Sequence, residues 1–344
     1  MIKKKFKAAV LVKMNSKLQL KKIEINSKLK KGQALVKLKY SGICGKQIDE
    51  INGTGGKDKF LPHLLGHEGS GIIISTGPRV KKIKKGDRVI LHWIKGKGIQ
   101  SETPKYFCEE KKINAGWVTT FNEYAIVSEN RVTKIPYNYS MKKSALFGCC
   151  ATTSLGLVYK KMKLKNKDSL MVVGCGGLGQ IIIQAAKNFN IKKIIAADIN
   201  KRALILAKKN GANEIIDFSK FGWNFLKNKI SYNKAVITTG NLKAIENSMK
   251  YLSMPGKCFV MGVPKRNKKI KIDAWNLMHD QMMEGSLGGG TSPDKDIPKF
   301  IKLDKQKKIN LNSIISKVIK FKDINKGIKL FKSHNSTGRI LIKF

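Results

Sequence analysis

The sequence predicts an α/β chain in two domains, a mostly β domain joined to a doubly wound parallel sheet. Three observations carry this. The 344 residues exceed one ordinary core at roughly 150 residues per domain. The first third reads as short strands broken by glycine turns, and from about Thr152 apolar strands alternate with helical stretches.

The chain begins with Met1 and a lysine-rich stretch running into the apolar residues 8–12. Lys13 ends that run too early for a secretory signal, so we read an opening strand in a cytoplasmic protein. Further strands are expected at 34–40, 71–75 and 87–91. Beyond Thr152 come a strand at 169–173, a glycine turn, a helix through Lys187 and a strand at 193–198. Strands at 235–238 and 257–261 precede the glycine-rich residues 285–290, and residues 338–344 read as a closing strand that returns to the first domain. No apolar run approaches the roughly 18 residues that a membrane-spanning helix needs.

Six cysteines without a secretory signal point to thiols or metal ligands rather than a disulfide framework. Cys150, Cys175 and Cys258 have apolar or small neighbours and read as packing residues. The formal charge is +46, from 69 Lys and Arg against 23 Asp and Glu. Such a field attracts anions. The lysines are spread along the whole chain with no aromatic-interleaved basic repeat, so we read them as solvated and expect no nucleic-acid or membrane partner.

Gly174, Gly176 and Gly179, with Gly177 and Leu178 between the last two, form G-x-G-x-x-G. The motif is weak alone but here follows an apolar strand, opens a helix, and is followed about 20 residues on by Asp198 at a strand end. Gly174 permits the tight turn, Gly176 lets backbone approach a pyrophosphate, and Gly179 allows helix to pack on strand. Asp198 is placed to accept from ribose hydroxyls and to repel the extra phosphate of NADP, so NAD is the expected cofactor. Arg202, four residues on, would soften that discrimination unless it is simply an exposed helical side chain.

Cys44 follows Gly42-Ile43, His67 stands in Gly66-His67-Glu68, and Cys149 stands beside Cys150 ahead of the nucleotide motif. Together with residues 66–71 continuing to Gly77 and Val80, and with 86–89, 120–124, 262–264 and 338–340, they closely resemble the zinc-dependent alcohol dehydrogenases of the medium-chain dehydrogenase/reductase (MDR) family over nearly the whole chain. The resemblance implies a GroES-like β-rich catalytic domain over 1–151, completed by 288–344, and a Rossmann NAD-binding domain over 152–287, with the active site in the cleft. It implies that Cys44, His67 and Cys149 ligate the catalytic zinc and that Glu68 belongs to the same metal site. Two thiolates, an imidazole and an open fourth position also suit a catalytic zinc, which makes an alcohol proton acidic near neutral pH while hydride passes to nicotinamide. Trp93 and Phe121 fall at pocket-lining positions, core packing being the alternative for Phe121, and Arg339 matches an arginine that reaches the pyrophosphate. The implied partners are a small alcohol with its aldehyde or ketone, polyols and sugar-like alcohols included, and further copies of the chain in a dimer or tetramer.

The chain also departs from the family. The region that often carries a structural zinc, residues 95–112, holds only Cys108, so one catalytic zinc and no structural one is expected. Lys46 stands where many relatives relay a proton through serine or threonine, and Asp49 where some have a histidine. Lys46 is expected to lie near the zinc, away from bulk water, and to act on the substrate: neutral, it would accept the alcohol proton, and charged, it would bind a polar substrate group; the alternative is an ammonium that reaches solvent. Two rival functions remain open: a metal-free quinone or enoyl reductase of the same superfamily, and a basic nucleic-acid-binding protein.

Overall fold

The computed structural model describes residues 2–227, 230–333 and 336–344; Met1, at the head of the expected opening strand, lies outside them. That strand runs Ile2–Leu11 and pairs antiparallel with Gln19–Ser27. The five-stranded sheet around it ends in a hairpin, Tyr106–Cys108 with Lys111–Ile113, whose turn residues Glu109 and Glu110 both take positive φ. Cys108 packs there against the cluster around Phe6 and Tyr106.

A second sheet is built on Gln33–Ile43, which pairs antiparallel with Glu68–Thr76 on one side and with the closing strand Arg339–Lys343 on the other. The first four residues of the closing strand are all buried, the pattern of a strand covered on both faces. Its register sets Ile340 opposite Ile43 and so delivers Arg339 to the end of the strand that leads into Cys44. The closing strand therefore joins this sheet by direct pairing with Gln33–Ile43.

The third sheet is parallel throughout, in the order Glu214–Asp217, Lys193–Asp198, Ser169–Val173, Lys234–Ile237, Gly256–Val260, Gln281–Gly285. Numbered along the chain this is 3-2-1-4-5-6, with the switch point at the first strand, where ligands bind in such sheets. The helix after that strand runs Gly177–Lys187 with Gly176 as its N-cap, so it starts inside the glycine motif. Glycine propensity argues against a start inside the motif, but packing on the sheet overrides it. Among the described residues no helix is long and apolar enough to cross a membrane.

Candidate active site

Three chain segments deliver the expected ligands. Cys44 leaves the strand Gln33–Ile43 and caps the N-terminus of the helix Gly45–Asn52, whose unpaired N–H groups favour a thiolate. His67 stands between Gly66 and the strand Glu68–Thr76. Gly66 has φ +90°, and a Cβ there would lie 2.3 Å from Thr120 Oγ1 and 2.9 Å from the Phe121 amide nitrogen, so the bend needs glycine. Cys149 caps the helix Cys150–Gly156, drawn against the sheet because a Cβ on Gly148 would meet Leu91 O at 2.4 Å.

The ligand atoms of Cys44, His67 and Cys149 all lie within 4.8 Å of one another. That spacing, with two sulfurs and one imidazole nitrogen, fits a single four-coordinate zinc with bonds of about 2.0–2.3 Å and one position left over. Cys44 is held well below the usual thiol range by a hydrogen bond from Cys149, with the Arg339 guanidinium and His67 adding to it against burial. Cys149, the donor in that bond, is correspondingly pushed up. Burial alone would depress His67, but the Cys44 thiolate, with Glu68 and Glu50, outweighs it and raises the imidazole pKa. Zinc takes both cysteines as thiolates, so metal uptake would release the protons they carry.

Glu68 is wholly buried beside this set. Its Oε2 accepts from the Cys150 amide at 3.1 Å and from Arg339 Nη2 at 3.3 Å, while Oε1 is buried without a partner, 2.3 Å from where a Cβ on Gly42 would sit. Burial pushes the carboxyl pKa up and Arg339 opposes the shift. Arg339 also donates to Cys44 Sγ at 3.4 Å. Arg339 is 4% exposed, and its guanidinium lies against Glu68, the carboxylate that so buried a cation requires. Its stem packs by Gly177, where a Cβ would lie 3.4 Å from Arg339 Cγ and 3.1 Å from Cys150 Sγ. The glycine turn and the candidate ligand set therefore share a wall.

In that turn Gly174 has φ +91°, and a Cβ on Gly179 would lie 2.1 Å from Gly174 O. A Cβ on Gly176 would meet nothing within 4 Å, so the space in front of the helix N-terminus is open, as a dinucleotide phosphate requires. Leu178 O accepts from Ser154 Oγ at 3.2 Å, tying the turn to the Cys149 helix. Asp198 accepts from the amides of Cys175 at 2.5 Å and Asn200 at 2.8 Å, which fixes its carboxylate at the strand end.

Three further expectations separate here. Trp93 is half-buried near Gly288, with its Nε1 unpartnered. Phe121 is fully buried among Ala9, Leu11, Ile43 and Leu65, which corrects the pocket-wall reading in favour of core packing. The Lys46 side chain is 47% exposed with its ammonium 3.9 Å from Glu50, which corrects the expectation of a lysine shielded from bulk water. Sequence reading passed over Gln47, buried against two of the ligands. Its signal was present: a Gln three residues past a helix N-cap is the spacing of a capping box.

Comparison with known proteins finds chains similar in sequence and in fold. Residues 30–137 match the family model for an alcohol dehydrogenase GroES-like domain, and residues 177–305 match that for a zinc-binding dehydrogenase. Alcohol dehydrogenase 6 of Peromyscus maniculatus is 26% identical, over 98% of this chain and 97% of its own. Benzyl alcohol dehydrogenase from Acinetobacter calcoaceticus superposes with a TM-score of 0.89 at 25% identity, with 99% of each chain covered. A short chain alcohol dehydrogenase from E. coli CFT073, solved with NADH, gives 0.79 at 20% identity, again over 99% of each chain.

Proposed function

The chain belongs to the zinc-dependent alcohol dehydrogenases of the MDR family, and on that premise we propose that it transfers a hydride between an alcohol and NAD, giving an aldehyde or ketone, with one catalytic zinc per chain. The observation that carries this is the convergence of Cys44, His67 and Cys149 against the glycine turn. The rival metal-free reductase has no use for such a convergence.

Cys44, His67 and Cys149 would hold the zinc, and Glu68 with Arg339 would balance charge behind it. When bound, zinc supplies a Lewis acid that makes the substrate hydroxyl acidic or polarises its carbonyl. NAD supplies the hydride acceptor. Gly176 leaves room for its pyrophosphate at the helix N-terminus, and Asp198 takes the ribose hydroxyls and disfavours NADP. The NADH held by the E. coli relative supports the same choice. Trp93 walls the substrate, and the half-exposed ammonium of Lys46 favours polar alcohols, polyols and sugar-like alcohols among them. The edge strand Gln281–Gly285, with exposed Met282 and Met283 and with Trp275 and Met278 exposed on the preceding helix, supports a homo-oligomer.

A screen of simple alcohols, polyols and their phosphates with NAD, followed at the NADH absorbance, tests the proposal. NADH formation that a zinc chelator abolishes and added zinc restores is the expected result. Turnover unaffected by complete zinc removal would overturn it.

A further inference from the structure

Gln47 lies in the first turn of the helix Gly45–Asn52 and is 1% exposed. Its Oε1 accepts from the Cys44 amide at 3.1 Å, and its Nε2 faces His67 Nδ1 at 2.5 Å. One side-chain amide thus touches two of the three ligand residues, from opposite ends. Helix capping explains only the first contact. We propose that Gln47 is a positioning residue for the metal centre and that its neutral amide, offering an acceptor at one end only, limits how tightly zinc is held.

The inference rests on the zinc reading above. With Nδ1 engaged by Gln47, Nε2 is the imidazole nitrogen free for a metal. A neutral histidine that gives Nε2 to a metal carries its proton on Nδ1, and that N–H needs an acceptor. In the present orientation Gln47 offers Nδ1 an NH2 group, which suits a bare nitrogen and clashes with a protonated one. Turning the amide over brings Oε1 to Nδ1 but sets the NH2 against the Cys44 N–H. Two donors thus compete for one acceptor, and the loaded site leaves one buried hydrogen bond unmade. A carboxylate of the same length has an oxygen at each end and would satisfy both.

The order of zinc retention should therefore be Gln47→Glu above the parent, and the parent above Gln47→Met. Substituting a partner of a metal-bound histidine typically changes affinity by about 10–100-fold. The test is the rate of zinc release from purified, zinc-loaded enzyme to a chromogenic chelator, alongside the absorption bands of the cobalt-substituted protein. Release about tenfold slower for Gln47→Glu and about tenfold faster for Gln47→Met, with shifted cobalt bands, is the expected result. Equal release from all three, or faster release from Gln47→Glu, would overturn it. If Gln47→Met does not fold, the Gln47→Glu comparison decides alone. A parent that retains no zinc would instead sink the zinc reading itself, a different outcome from a zinc-loaded parent whose variants behave alike.

Discussion

Arg339 donates to Glu68 at 3.3 Å across 271 positions of sequence, and both side chains are almost entirely out of water. The register of the closing strand brings that cation behind the candidate ligands. Removing one partner of a buried ion pair leaves an uncompensated charge and costs about 3–5 kcal/mol. Arg339→Met should therefore lower unfolding free energy by that order in a denaturant titration, and adding Glu68→Gln should recover part of the loss. A single variant as stable as the parent would show that Glu68 is already neutral.

The three-ligand site should bind one zinc per chain. Cys149→Ala should bring the zinc content measured by elemental analysis close to zero and abolish alcohol oxidation. Binding of NADH, followed by its fluorescence, should persist because the hydrogen bonds that hold the glycine turn, from Ser154 and to Asp198, do not involve Cys149. Two zinc ions per parent chain would contradict the count.

Asp198 is held at the strand end by two amides, so its charge stands at a defined place. Asp198→Ala should narrow the preference for NAD over NADP in kcat/KM by about tenfold or more, the equivalent of about 1.4 kcal/mol. Equal efficiency with both cofactors in the parent would remove the basis for the assignment.

Lys46 should matter for recognition more than for proton transfer, since its ammonium is half-exposed and faces Glu50. Lys46→Met should raise KM for a polar substrate by about 10–100-fold, the range for a hydrogen bond to a charged group, and leave an apolar alcohol unaffected. Identical kinetics on every substrate would return Lys46 to the role of a solvated surface residue.

His92 is fully buried, with Nδ1 donating to Ile94 O at 2.7 Å and Nε2 3.0 Å from Thr133 Oγ1. Burial lowers its pKa to about 4. The unfolded chain protonates this histidine first, near pH 6.5, so stability is full above that pH and declines as pH falls toward 4. The loss amounts to about 3 kcal/mol at most. His92→Gln should flatten the slope of unfolding free energy between pH 6.5 and 4; an unchanged slope would place the acid sensitivity elsewhere.

What the sequence determined by itself was local. The G-x-G-x-x-G run needs glycine at 174 and 179 for reasons of backbone geometry that hold wherever the chain goes, and the apolar strands at 169–173 and 193–198 emerged with the expected bounds. Cys44, His67 and Cys149 were recognisable by type and neighbours. Their meeting within 4.8 Å was decided by strand pairing and by tight approaches such as Gly148 on Leu91. Tertiary structure also decided where Arg339, Phe121 and Lys46 point, because a side chain's direction follows from which neighbours exclude water from it. Spacing along the chain carries no record of that. Gln47 shows the boundary most clearly: its capping contact with Cys44 spans three residues and was legible, whereas its contact with His67 spans 20 and exists only because the fold brings those segments together.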